Sequence, residues 1–177
     1  MGCSDAYTIA TVCDVLGDVN RFADADVAIV GRMERSVSLI DHSEFLSQDH
    51  CERPLIAHGH TFQNRIQVLT EWEESMPKPP SGRPTLDPTR IAAKLSAVRR
   101  TTDLGSHQEP RFNADGKQHV VMVPNEWALV YGRLVRSPRL DKDCGVGGCG
   151  GDDVPLIIVA KEHEVRTLPR DVPSLRK

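Results

Sequence analysis

His58-Gly59-His60 is the closest pairing of histidines in the chain. On an extended backbone both imidazoles would point to one side. His50, Cys51 or His42 nearby would then complete a nitrogen-and-sulfur set for zinc or copper. The spacing matches no established zinc signature, and the same histidines also read as ordinary solvated loop residues. A Cys51 that ligates a metal cannot also sit in a disulfide.

The second candidate is Cys144-Gly-Val-Gly-Gly-Cys149-Gly-Gly, flanked by Asp141, Asp143, Asp152 and Asp153. Gly145, Gly147 and Gly150 fit G-x-G-x-x-G, but a phosphate site needs a helix N-terminus directly after the glycines. Val154–Val159 is β-branched and predicts a strand there instead. The four carboxylates suit a hard cation such as calcium, yet the EF-hand spacing fails at Val146 and Asp152. The competing expectation is a solvated acidic loop closed by a Cys144–Cys149 bridge.

Catalytic signatures are missing from the sequence. There is no G-x-S-x-G elbow and no H-E-x-x-H pair. Glu162 and Glu164 face away from His163 on an extended chain, and Glu73 and Glu74 fall on opposite faces. The expectation is a non-catalytic protein without a cofactor, with zinc or calcium as the exceptions to test.

The elements that must position these residues follow from periodicity. Thr8–Leu16 has helical spacing (Ile9, Val12, Cys13, Leu16) and predicts a short helix ended by Gly17. Val27, Ile29, Gly31, Met33, Val37 and Leu39 share one parity, which predicts a long half-buried strand with a bulge at Gly31. Glu44–Ser47 and Arg65–Trp72 are the next strands, separated by a long polar loop, Gln48–Asn64. The Pro-rich stretch Glu74–Pro88 is a surface linker. Asp87 is a good N-cap with Pro88 at the first helical position, and Ile91, Leu95 and Val98 make one apolar stripe ending near Arg100. Ser106–Lys117 reads as loop, Glu126–Arg136 as the fourth strand and Val154–Thr167 as the fifth.

Three strands, a helix and two strands predict a mainly β, OB-like five-stranded barrel with two short helices, one of them between strands 3 and 4. The Asp87–Arg100 helix is expected to cap it, with the first short helix packed outside. The 177 residues suit one domain, 1–177, with flexible tails at 1–7 and 169–177. Trp127, Tyr131, Arg133 and Arg136 on the fourth strand are the candidate ligand-binding residues. Together with the 48–64 and 141–153 loops they form the expected contact surface for a protein, peptide or glycan.

Charge is uneven: seven Lys/Arg against fourteen Asp/Glu in residues 1–88, and fifteen against eleven in 89–177. A net charge of −3 and 5% aromatics argue against oligonucleotide binding, which Arg133 and Arg136 would otherwise serve. No run reaches the roughly 20 apolar residues of a membrane-spanning helix. No secretory apolar region follows Met1, which leaves a cytoplasmic chain or one whose signal has been removed. Met-Gly-Cys-Ser resembles a mature end near Cys3, the position of the lipid-bearing cysteine in bacterial lipoproteins. The myristoylation motif fails at Ala6.

The segments TVCDVLGDVNRFADADVAIVGRMERS, SQDHCERPLI and NRIQVL, with WALVYGRLVRS later, resemble small bacterial extracytoplasmic proteins of OB-like fold and unknown function. The shared pattern is a short helix bearing a cysteine, here Cys13, leading into V-x-V-x-G-x, here Val27, Ile29 and Gly31. The resemblance implies the fold, an extracytoplasmic setting and a Cys13–Cys51 bridge, and no activity.

Overall fold

The alternation from Val27 becomes one strand of 12 residues whose two halves pair with different neighbours. The computed structural model describes residues 7–37, 42–70, 77–78, 85–144, 153–161 and 164–170. In chain order the elements begin with strand Thr8–Thr11 (β1), helices Val12–Gly17 (α1) and Val19–Phe22 (α2), and strands Asp26–Val37 (β2) and His42–Ser47 (β3). Strands Ile56–Ala57 (β4), His60–Thr61 (β5) and Arg65–Leu69 (β6) come next, then helix Pro88–Thr101 (α3). Ser106–Phe112 (β7), Gln118–Pro124 (β8), Glu126–Arg136 (β9), helix Pro138–Asp141 (α4), Leu156–Val159 (β10) and Val165–Thr167 (β11) complete them.

β2, β3, β6, β10 and β9 hydrogen-bond in that order, and β9 returns to β2 to close a barrel. Only β6 and β10 are parallel within it. With α3 between the third and fourth barrel strands, this is the OB arrangement. The β2 ladders to β9 and β3 advance residue by residue, so no bulge forms at Gly31. Gly31 instead makes room for a neighbour: a Cβ there would lie 3.1 Å from Val12 Cγ2 and 3.2 Å from the Ser47 carbonyl oxygen.

The roles of the two helical regions are the reverse of the expected ones. Val12, Val15, Leu16, Val19 and Phe22 join the interior cluster with Ile29, Leu46, Ile66, Val130, Leu134 and Ile158. Burying five such side chains contributes on the order of 10 kcal/mol before conformational entropy is subtracted. α3 carries a single narrow stripe, Leu95 and Val98, which packs on a separate cluster of Tyr7, Ala28, Val30, Trp127, Leu129 and Tyr131. These belong to the opposite parity of β2 and β9, so α3 covers the outside of the barrel. Tyr7 is buried there, which fixes the last residue of the expected N-terminal tail.

Three further elements differ from expectation. Thr8–Leu16 divides at Thr11, which ends β1 beside β2 and caps α1 reciprocally with Asp14. The expected fifth strand splits into β10 and β11, both on β9. Ser106–Lys117 is no loop but most of a β7–β8 hairpin, separate from the barrel sheet. Asn125 cinches its base, donating from its backbone N to the Gly105 oxygen (3.1 Å) and from Nδ2 to the Leu104 oxygen (2.9 Å). Among the described residues no helix is long and apolar enough to cross a membrane.

Candidate functional site

Inward parity of Met33, Leu46 and Ile66 sends their neighbours to the outer face of β2, β3 and β6. Register aligns Arg32 with Ser47 and Ser47 with Arg65 in one row, and Glu34 with Phe45 and Phe45 with Gln67 in the next. An open cleft of about 380 Å³ lies on this face. Arg32, Glu34, Ser47, Asp49, Thr61 and Arg65 supply its charged and hydroxyl side chains, and Pro54 and Phe62 also line it.

Arg32 is the centre of the network. Its guanidinium contacts Glu34, bonds the Asp103 carbonyl at 2.5 Å and pairs with Asp49 at 2.8 Å. Ser47 Oγ donates to Glu34 Oε1 at 2.7 Å. Arg65 differs: its guanidinium lies 4.4 Å from the centroid of the buried Phe45 ring, and it has no hydrogen-bond or ion-pair partner among the described residues.

A wall of this cleft, from Gln48 onward, is fastened from two sides. Gln48 accepts from the Cys13 backbone N at 3.2 Å and donates to Thr101 Oγ1 at 2.9 Å. Asp49 accepts from the Asp103 backbone N at 3.0 Å, and its own N donates to Thr102 Oγ1. Cys13 and Cys51 form a disulfide, tying the loop to α1. The wall is therefore pre-organised rather than left to loop entropy.

α1 is in turn held by Asp14. Burial works to raise its pKa, but the Lys94 ammonium at 2.7 Å and the Thr11 backbone N outweigh it and hold the carboxyl below 3.8. A depressed folded-state pKa contributes stability above the unfolded value, and that contribution is lost as pH falls through the folded one. Asp14 is 41% exposed, so solvent screening weakens the pair, and Asp14→Asn should lower stability by only about 0.5 kcal/mol at neutral pH. The deficit should shrink in acid below 3.8. Urea midpoints of both proteins, measured in neutral and acidic buffer, check this.

A second cleft of about 290 Å³ adjoins the first and shares Arg32 and Glu34 with it. Its far side is the base of the hairpin: Gly105, Ser106, His107 and Asn125. His107 contacts Asn125 Oδ1 at 2.9 Å and Glu109 at 3.0 Å. That hydrogen bond, with Arg111 and Arg35, holds the Glu109 carboxyl below the usual range. The hairpin's other face shows Phe112, Val120 and Met122, each more than half exposed.

The residues singled out from sequence fall elsewhere. Trp127 and Tyr131 are buried beneath α3, and Tyr7 meets Tyr131 edge-on at 5.7 Å. Burial, with Asp26 and Glu164 nearby, pushes the Tyr7 hydroxyl up to about 12. Arg133 is paired with Asp26 at 2.5 Å, and Arg136 with Asp141 at 2.7 Å. His58 has φ 53° and forms, with Gly59, the tight turn between β4 and β5, so the chain is not extended through the two histidines. His58 Nε2 reaches the Leu140 oxygen, and His60 Nε2 reaches Asp153 at 2.9 Å, which also pairs with Arg139. This brings the 48–64 loop to the end of the 141–153 loop. His50 is exposed, and no group of three His, Cys, Asp or Glu is placed for a metal among the described residues. Cys144 is also disulfide-bonded; its expected partner Cys149, the run 145–152, Cys3, Glu162 and His163 lie outside the described residues.

The fold and cleft stand on their own. The chain matches no protein-family model, no curated protein and no solved structure.

Arg65 and Phe45 were not among the sequence candidates. Their signal was present in the outward parity of β3 and β6, where Phe45 and Arg65 stand two register rows apart, one on each side of the inward Leu46–Ile66 row.

Proposed function

We propose that the protein is a non-catalytic binding module acting outside the cytoplasm, and that its partner is a protein or peptide. The observation that carries the reading is the pair of adjoining clefts sharing Arg32 and Glu34. Together they form one groove, from Arg65 on β6 across β3 and β2 to the hairpin base. OB barrels commonly engage ligands on this strand face. The fastened wall supports binding with little ordering cost. The Cys13–Cys51 bridge supports an oxidising compartment, as does the resemblance of residues 11–69 to small extracytoplasmic OB-like proteins.

The test is selection of a random peptide library on the immobilised, disulfide-intact protein. Convergence on a motif whose binding is lost in Arg32→Ala, and retained in Arg136→Ala, supports the module. Failure to converge, or a motif indifferent to Arg32, removes it. Thiol trapping in the native host tests the compartment: a reduced Cys13 and Cys51 there would overturn the extracytoplasmic part.

A further inference from the structure

The geometry points to a carboxylate-binding subsite: we infer that Arg65, stacked on Phe45, takes the carboxylate of a bound peptide, with Glu34 accepting a peptide N–H beside it. The inference rests on the groove being a peptide site, as proposed above.

Charge bookkeeping within the cleft singles out Arg65. Four charged side chains line it: Arg32, Arg65, Glu34 and Asp49. Arg32 is satisfied by both carboxylates and by the Asp103 oxygen. On the same outer region Arg35 pairs with Glu44 at 3.0 Å. Arg65 alone in the cleft has no anionic partner among the described residues, and its Nε is buried with no acceptor. With the Nε shut off from solvent, the terminal guanidinium nitrogens, which carry no bond among the described residues, are the donors a ligand oxygen meets.

Phe45 determines how that guanidinium can be used. The ring is 2% exposed and therefore fixed by packing. A guanidinium held over an aromatic face keeps its N–H edge for acceptors in its own plane, which suits the two oxygens of a carboxylate. Lysine offers no such fork.

The charge of the ligand follows from the same four residues. Two cations and two anions balance, so a group bearing one negative charge finds one unpaired guanidinium. A phosphate dianion would bring a second charge towards Glu34 and Asp49 with no second free cation. Glu34 receives its hydrogen bonds on Oε1, and no bond within the described residues uses Oε2. An acceptor beside an unpaired donor matches a peptide unit, which carries N–H groups next to its carboxylate. The cleft volume is near the lower end of the roughly 300–1,000 Å³ typical of small-ligand sites.

The carboxylate can come from a chain terminus or from an acidic side chain, and the experiment separates them. The folded, disulfide-intact protein is titrated with acetyl-Ala-Glu-Ala-amide, with acetyl-Ala-Ala-Ala bearing a free C-terminus, with acetyl-Ala-Gln-Ala-amide, and with inorganic phosphate. The readout is the Arg65 Nε–H signal in ¹H–¹⁵N spectra, assigned by its loss in Arg65→Lys. The expected result is a saturable shift with one of the two acid peptides and none with the Gln peptide. Arg65→Gln should weaken that binding roughly tenfold or more, and Arg65→Lys should recover only part of it. An equal shift with the Gln peptide, a shift with phosphate alone, or no shift overturns the inference. If Arg65→Gln does not fold, the wild-type signal decides by itself. Library peptides that bind through Arg32 without moving the Arg65 signal would remove the carboxylate subsite and leave the binding module standing.

Discussion

Gly132→Ala opens the barrel. A Cβ at Gly132 would stand 2.2 Å from the Val159 oxygen, 2.9 Å from the Val159 carbonyl carbon and 3.2 Å from the Ala160 Cα. All three are backbone atoms of the β10 end, so no side chain can swing aside. Gly132 shares the inward parity of Val130 and Leu134, and it stands at the boundary where β9 changes partner from β10 to β11. On its other edge it pairs with Val27 of β2. One methyl group therefore pushes β9 away from the end of β10, its neighbour in the closed sheet. The expected loss is about 3 kcal/mol or more, above the usual range for overpacking because backbone must move. That is a large part of the roughly 5–15 kcal/mol that holds a typical domain. Gly17→Ala is the control: nothing lies within 4 Å of its Cβ, and it ends α1. There the methyl should be neutral or gain about 0.5 kcal/mol. Urea midpoints for the two variants check the contrast, and equal midpoints would refute the close-approach argument.

Gly132 also shows what the sequence could and could not disclose. Its place in the fourth strand was legible, and that strand, Glu126–Arg136, has the expected bounds. The long first barrel strand was legible from parity, and α3 from Asp87 and Pro88, where Asp87 Oδ1 does accept from the Thr89 N. Periodicity registers side chains, however, and not which backbone crosses a glycine. β7 stayed hidden because Gln108, Glu109, Pro110 and Arg111 have no apolar alternation, although Val120–Val123 and the Asp115-Gly116 turn were signals for its partner. The helix exchange was illegible for a related reason: both helices are apolar on one side, and only the barrel's open end selects the broader face. The candidate groove was not foreseen because aromatic and basic residues were sought on the fourth strand. Trp127 and Tyr131 are spent on the core under α3, and polar residues on β2, β3 and β6 line the groove instead.

The Cys13→Ser/Cys51→Ser double variant should lose about 4 kcal/mol, the loop-entropy value for a bridge spanning a separation of 38 residues. Both cysteines are replaced together so that no lone thiol remains to mispair. The native fold should persist, because Val12, Val15 and Leu16 keep α1 seated in the interior. The loss should appear in thermal and urea unfolding. Reductant is a poorer perturbation, since Cys144 is bridged as well. The variant should also widen hydrogen exchange at Gln48 and Asp49, whose backbone N–H groups are bonded to Asn64 and Thr102. A stability change under about 1 kcal/mol, with unchanged exchange at both amides, would show that the wall is held by its hydrogen bonds without the bridge and that chain entropy contributes little here.

The cinch at Asn125 has a consequence for how such a protein can vary. Residues between Gly105 and Asn125 leave the barrel and return to it at one point, so the arm they form is a closed excursion. Lengthening or rewriting a closed excursion changes loop entropy only slowly and leaves every barrel register untouched. The groove thus has two ends of unequal permanence. The Arg65 end is written into three barrel strands and a disulfide, where a change of register or chain length would disturb the barrel itself. The hairpin end can be rewritten while the barrel end stays as it is.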